Sequence, residues 1–538
     1  MSVFIGYPSF MAYQMMKGKK GNNDGFPSIP GMIARYSALG LTNEQMAANP
    51  VWVDKTGNGH DLQMKNFAWG GMSGVGGYVT KKDVYEYDLD CYSYTFIENS
   101  TKVHDFYIVF ELIGYDENFK DGFNLDVRSI SQGLKYRKTY TKNGIYIFQY
   151  KDEEGLDDLF AIGYNGNGGA RSNFTVKILP LYPGALVFDG VDDYGVCDNF
   201  PILTKEKGYT VVALRQWITR GEIVQGLVSN VKDWFSNGAF ILEYGEVQPV
   251  SFGAIWGVVD LPRVLTYQTS KSCNGVPIRT GKYEGTDVLH VGKLASTNVG
   301  TCINAAIWEL VFLDHDATEE ELTKIKDYFV KTYPWLFPDQ AWTVTGKTNE
   351  DEDRATIANI TGNGNDLILS NFGFAEGSGY NEEGEYAGYL VTDGVDDRVV
   401  IRSFTLNKDW KIVGNWKMLQ PEANKSSGIV KQNSLFIYNH VDGLDISIND
   451  AWNFFKLKDI RSVNAICSDG RIYLNDWTEI IDSKQQTVNE SVGALVIGIL
   501  GNVYTSLAFK NLGIYNNQIL SKDDCIKAYN YLQTLKAK

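Results

Sequence analysis

The sequence predicts an all-β protein made of two β-sandwiches in tandem, with a smaller β-sandwich inserted in the first. Three observations carry that expectation. Aromatic residues make up 13% of the chain, including 32 Tyr and 12 Trp, and such side chains suit a pleated, half-buried surface. The 54 Gly supply turns throughout while few helical patterns occur. The chain also repeats itself. TGNGHDLQMKNFAW at Thr56–Trp69 returns as TGNGNDLILSNFGF at Thr361–Phe374, with eight of fourteen positions identical. A match of that length inside one chain marks an internal duplication.

Composition narrows the function classes. At 538 residues the chain has room for three or four domains of ~150 residues. A hydrophobic fraction of 44% is enough to fill several cores. The net charge is −15, which opposes nucleic-acid binding, because phosphate contact needs clustered Lys and Arg. The six cysteines are scattered and form no CxxC pair; this reads as buried thiols in a reducing compartment. In MSVFIGYPSFMAYQMMKGKK the charges follow the apolar residues, unlike a signal peptide. The apolar run around Ala494–Leu500 is far shorter than the ~20 residues that span a bilayer. The expectation is a chain without membrane insertion.

Residues 1–33 carry Phe4, Tyr7, Phe10, Tyr13 and Phe26 without a period of 3.6 or 2, and Pro8, Pro27 and Pro30 prevent a long helix. Such a segment packs on something else. It is either an arm on its own body or an anchor for a partner, with Phe4, Tyr7, Phe10 and Tyr13 as the anchoring side chains. The first sandwich is then expected over 34–335. Thr42–Gln45 has the S/T-x-x-E/Q form of a helix cap, and Thr348–Asp351 holds the same place later. A short helical run follows each, then the TGNG turn, whose glycines supply positive φ, then alternating apolar residues (Leu62, Met64; Leu367, Leu369).

A second repeated string is LVFDGVDDY at Leu186–Tyr194, matched by LVTDGVDDR at Leu390–Arg398. Asp-Gly between apolar stretches signals a hairpin. A third pair closes each copy: the strand from Ala306 with a capped helix at Thr318–Glu321, and the strand from Ala508 with a capped helix at Ser521–Asp524. The first strings lie 305 residues apart, the second 204 and the third 202. One block of about 101 residues is therefore extra in the first copy. It is assigned to 80–182 and reads as short alternating strands, hence a small inserted β-sandwich. Residues 336–538 form the second sandwich, with 336–347 expected as linker.

The strings Thr348–Asp351, Thr361–Leu367, Asn371–Phe374 and Leu390–Asp397 together resemble the laminin-G/concanavalin A-like sandwiches of crAss-like tailed phages that infect Bacteroides-type bacteria. The first copy departs from the pattern at Gln45 and His60. The resemblance implies a virion surface protein, a head or tail fibre or decoration, assembled in the host cytoplasm. It would be docked on other virion proteins through its N-terminus and would bind host-surface glycan. It also implies a homo-oligomer, read as a trimer with a dimer as alternative.

The residues argue for no enzyme. A glycoside hydrolase of this fold needs paired carboxylates, and the nearest string, Glu86-Tyr-Asp88-Leu-Asp90, has Cys91 where the last Glu belongs. A depolymerase stays as the alternative function, beside a purely architectural capsid decoration. Gly346-Lys347-Thr348 lacks the earlier glycine of a P-loop. No cofactor or metal is expected; Asp189, Asp192 and Asp193, with Asp393, Asp396 and Asp397, have carboxylates that suit a hard cation but also make a turn without one. Trp217, Trp234, Trp256, Trp416 and Trp452 are the glycan-binding candidates, because indole rings offer flat apolar faces to sugars; core packing is their competing role.

Overall fold

The computed structural model describes residues 24–537 apart from stretches between and at the ends of strands, the longest being 166–173, 231–239, 245–254, 278–285, 294–301 and 482–490. The chain divides into two compact units: 1–83 with 182–332, and 84–181 with 333–538. Both are all-β with a few short helices. No helix among the described residues is long and apolar enough to cross a membrane.

In the first unit one sheet runs from Val276–Pro277 through Ser272–Cys273, Leu265–Thr269, Thr210–Thr219, Asn304–Leu313 and Leu186–Asp189 to Gly74–Val75, with Met32–Ser37 also on Asn304–Leu313. The other runs from Ile255–Trp256 through Phe240–Tyr244, Gln225–Ser229, Leu289–Val291, Tyr194–Cys197 and Leu62–Lys65 to Val51–Trp52. Their apolar faces share one core that includes Tyr36, Trp52, Leu62, Phe188, Trp217, Leu289 and Phe312.

The second unit repeats the plan. Tyr389–Asp393, Ser506–Asn516, Trp410–Met418 and Val463–Cys467 are adjacent in one sheet, and Leu367–Ser370, Arg398–Leu406 and Ser491–Ile497 in the other. Their core includes Trp342, Leu367, Trp410, Trp416, Ile466 and Phe509. Residues 84–181 of this unit form two four-stranded sheets, one centred on Asp105–Ile113 and Phe174–Ile178, the other on Phe123–Ser129 and Leu159–Asn165.

The TGNG turn owes its shape to hydrogen bonds that the two copies build alike. Asp54 Oδ1 accepts the N–H of Arg35 at 3.1 Å and of Thr56 at 2.9 Å. Asn359 Oδ1 accepts the N–H of Ala341 and of Thr361, both at 3.1 Å. Asp54 N–H donates to Asp61 Oδ1 at 2.9 Å, and Asn359 N–H to Asp366 Oδ1 at 2.8 Å. Gly57, Gly59, Gly362 and Gly364 all hold φ between +72 and +89, where a Cβ is strained. Even the carbonyl of the divergent position is used: His60 O accepts from the Tyr36 hydroxyl, and Asn365 O from Trp342 Nε1 at 3.0 Å. The turn thus fastens the first strand of each sandwich.

Two local expectations need correction. Thr42 caps a short helix, Asn43–Ala48, its side chain accepting from Gln45 N–H. At Thr348–Asp351 the Thr348 N–H and hydroxyl instead donate to the Asp351 carboxylate, at 3.0 and 2.9 Å, and turns follow rather than a helix. The cap motif satisfies its own donors locally and does not oblige a helix to propagate. The expected linker 336–347 contains the strand Gln340–Thr343, whose four residues are all buried. Trp342 there is fully enclosed in the second core, so burial overrides the loop-like Phe337-Pro-Asp. The closing helices do follow the sequence: Glu319–Thr332 after Thr318, and Lys522–Gln533 with a complete Ser521/Asp524 capping box.

Candidate functional site

The DGVDD hairpins bring three carboxylates together in each copy. Asp189, Asp192 and Asp193 have oxygens within 4.8 Å of one another, as do Asp393, Asp396 and Asp397. Asp193 is wholly buried and Asp397 nearly so. Each is held by two donors. Asp193 accepts the Asp189 N–H at 3.0 Å and the Ser73 hydroxyl at 3.0 Å. Asp397 accepts the Asp393 N–H at 2.8 Å and the Ser378 hydroxyl at 3.1 Å. The outer carboxylates close the turn, Asp189 on Val191 N–H and Asp393 on Val395 N–H. Asn66 and Asn371 clamp the carbonyls of Asp192 and Asp396.

Burial, reinforced by the neighbouring Asp189, pushes Asp193 up to about 7. Burial likewise pushes Asp397 up to about 6, with Asp393 and Asp396 adding to it. Both oxygens of each buried carboxyl face hydrogen-bond donors. The arrangement ties the hairpin to the Ser73 and Ser378 loops.

Trp217 is 5% exposed and Trp416 is 1% exposed, both within the sandwich cores. Neither presents a ring face to a ligand: of their two competing roles, the structure selects core packing. Trp256 lies on the strand Ile255–Trp256 and Trp452 on Ala451–Lys456, but their side chains, and Trp234 altogether, lie outside the described residues. So do Phe4, Tyr7, Phe10 and Tyr13. Glu86 and Asp88 sit on the strand Glu86–Leu89, paired with Lys177 and Thr175. Lys347 pairs with Asp353 at 2.5 Å, an ion pair and not a phosphate cradle. The five described cysteines, Cys197, Cys273, Cys302, Cys467 and Cys525, are buried thiols.

A second site was not visible as a motif. Lys510 is the extra residue of a β-bulge: Asn511 faces Asn415 and Phe509 faces Trp416, leaving Lys510 between. Its ammonium lies 5.7 Å from the Tyr389 ring centroid, and that of Lys417 lies 4.9 Å from the same ring and 5.8 Å from Tyr386. The Tyr389 hydroxyl donates to Asn415 Oδ1 at 3.2 Å. Lys510 is only 6% exposed; burial and then the like charge of Lys417 lower its pKa to about 8. The first copy has the same bulge at Trp308, between Leu214–Glu309 and Arg215–Ile307. By that register Gln216 stands where Lys417 does, and Ala185 where Tyr389 does. Aligning the two copies through their closing strands is the sequence signal that would have exposed the exchange.

No family model and no curated protein matches the chain. Among solved structures it is similar to the receptor-binding domain of botulinum neurotoxin type G, with 10% identity over 35% of this chain and 49% of that one, TM-score 0.21. The match thus spans about half of the neurotoxin domain. It is similar to a Trypanosoma rangeli sialidase, with 10% identity over 79% and 82% of the two chains, TM-score 0.27. It is similar also to a truncated AlyQ with CBM32 and alginate lyase domains, with 10% identity over 62% and 90%, TM-score 0.18. At these scores no residue role passes to the present chain.

Proposed function

We propose that this chain is a non-enzymatic surface protein of a tailed-phage particle, a head or tail fibre that docks through its N-terminal segment and presents its sandwiches to host-surface glycan. The observation that carries the reading is the pattern of sameness and difference between the two copies. The Asp/Asn ties under TGNG, the Ser–Asp clamps and the capped closing helix are built twice. The paired carboxylates of the hairpins serve the frame, not a reacting centre. The copies diverge instead at the bulge, where Trp308 gives way to Lys510. A scaffold kept constant while one face changes is the logic of a display protein.

Two measurements test this. Mass spectrometry of purified particles should find the chain at stoichiometric abundance, and deleting residues 1–33 should abolish its incorporation. Its absence from particles would sink the virion assignment. A glycan array with the full chain should return host-surface saccharides, and incubation with host capsule should release no new reducing ends. Release of reducing ends would favour a depolymerase instead.

A further inference from the structure

We propose that Cys467 and Cys525 are a redox-active pair, which a small-molecule disulfide oxidises to an intramolecular disulfide that staples the closing helix of the second sandwich to its sheet. The chemistry stands on the placement of the two thiols and is independent of the glycan and virion readings.

The fold brings together two residues 58 positions apart in the chain. Cys467 ends the strand Val463–Cys467, and Cys525 lies near the start of the helix Lys522–Gln533. The two side chains are hydrogen-bonded, the Cys525 S–H donating to Cys467. Both residues are buried, at 2% and 0% exposure. Two thiols in contact need little backbone movement to reach disulfide geometry.

The first copy carries no thiols at the equivalent places. Thr269 faces Thr210 as Cys467 faces Lys411. Leu322 follows the cap residue Thr318 by four positions, as Cys525 follows Ser521, and each gives its N–H to that residue's carbonyl. Threonine and leucine thus serve where packing alone is needed, and the dithiol belongs to the second copy.

The surroundings divide the roles. The bond to Cys467, and then burial, pushes the Cys525 thiol well above the ordinary thiol range, so Cys525 keeps its proton. Cys467 accepts that hydrogen bond, which leaves its sulfur as the one that attacks. Lys411, its nearly buried partner in the ladder, sets a positive charge beside the pair; such a charge suits the thiolate that exchange requires. The Cys467 thiolate attacks one sulfur of the small disulfide, forming a mixed disulfide and expelling one thiolate. Cys525 then gives its proton to solvent and attacks the Cys467 sulfur, forming the protein disulfide and expelling the second thiolate. Each cysteine loses one electron, and the small disulfide gains both as it becomes two thiols. Helix ends open locally, and opening of the helix at Ser521 exposes Cys525 to the reagent. The bond, once formed, holds that end of the helix on the sheet.

Full-length protein purified with reductant is equilibrated with oxidised glutathione, and remaining thiols are alkylated before digestion. The expected result is a Cys467–Cys525 cross-linked peptide that dithiothreitol removes. Hydrogen exchange on the same samples should show the amides of 522–533 slowed by about tenfold or more in the oxidised form. Dithiothreitol should reverse this, and Cys525→Ala should abolish it. The comparison of the natural chain with and without reductant stands even where the variant fails to fold. Recovery of both cysteines as alkylated thiols or as separate glutathione adducts overturns the pair, and so does pairing of either with another cysteine. A cross-link without slower exchange at 522–533 overturns the staple.

Discussion

The Ser73 hydroxyl donates to Asp193 Oδ1 at 3.0 Å, and Ser378 donates to Asp397 Oδ1 at 3.1 Å at the matching place in the second copy. Each serine also accepts a backbone N–H at 2.8 Å, from Ala68 and Gly373. One hydroxyl therefore links a loop to a buried carboxyl in both sandwiches. Ser73→Ala and Ser378→Ala should each lower stability by about 1–3 kcal/mol, because a buried acceptor and a backbone donor both lose their partner. Urea unfolding measures this; a change below a few tenths would mean that the hydroxyls contribute nothing.

The buried carboxyls make stability fall as pH rises. Asp193 is raised to about 7 and Asp397 to about 6, from an ordinary 3.8. Between those values the folded chain holds protons that the unfolded chain has released, so the unfolded state gains as pH climbs. The contribution is most favourable below about pH 4 and is lost through about pH 7. Asp193→Asn should flatten Tm against pH across that window, and Asp397→Asn across a window ending nearer 6. Asparagine keeps an acceptor for the turn N–H and removes the titration. If the slope survives in the double variant, another group causes it.

Arg35 and Glu309 form a buried pair peculiar to the first sandwich. The guanidinium gives Glu309 two bonds, at 3.1 and 3.3 Å, and Asp24 a third at 2.7 Å, with the Phe26 ring 4.0 Å away. Glu309→Leu alone should cost about 3–5 kcal/mol, because the buried guanidinium loses one of its two carboxylate partners and keeps only Asp24 at its edge. The double variant with Arg35→Leu should recover much of that loss. A double-mutant cycle on chemical denaturation checks it, and simple additivity would show that the two charges do not depend on each other.

Gly74 and Gly379 stand at φ +150 and +156, and a Cβ on either would lie 2.5 Å from the side-chain oxygen of Asn43 or Asn349. Those amides bridge the backbone of Val75 and Tyr380, accepting N–H at 2.7 and 2.8 Å. Gly→Ala at either position should lower Tm by several degrees, about the effect of 1–3 kcal/mol. Ordinary thermal melts decide this, and an unchanged Tm would show that the amide can move aside.

Trp217→Phe and Trp416→Phe should reduce thermal stability and leave saccharide affinity unchanged, since both indoles lie in cores. Loss of affinity without loss of stability would return these rings to the ligand-binding surface.

The sequence by itself determined the β class, the duplication and the position of the extra block, because these follow from local periodicity, turn chemistry and the spacing of repeated strings. Gly57 and Gly362 mark the same turn whatever surrounds them. Only the tertiary structure decided what long-range pairing controls. It put Trp217 and Trp416 inside, made Gln340–Thr343 a strand by burying Trp342, and left Thr348–Asp351 without a helix. It also set Lys510 beside Lys417 and Tyr389, residues 93 and 121 positions away in the chain. A bulge and a three-strand register create that neighbourhood, and no local pattern encodes which strands will lie side by side.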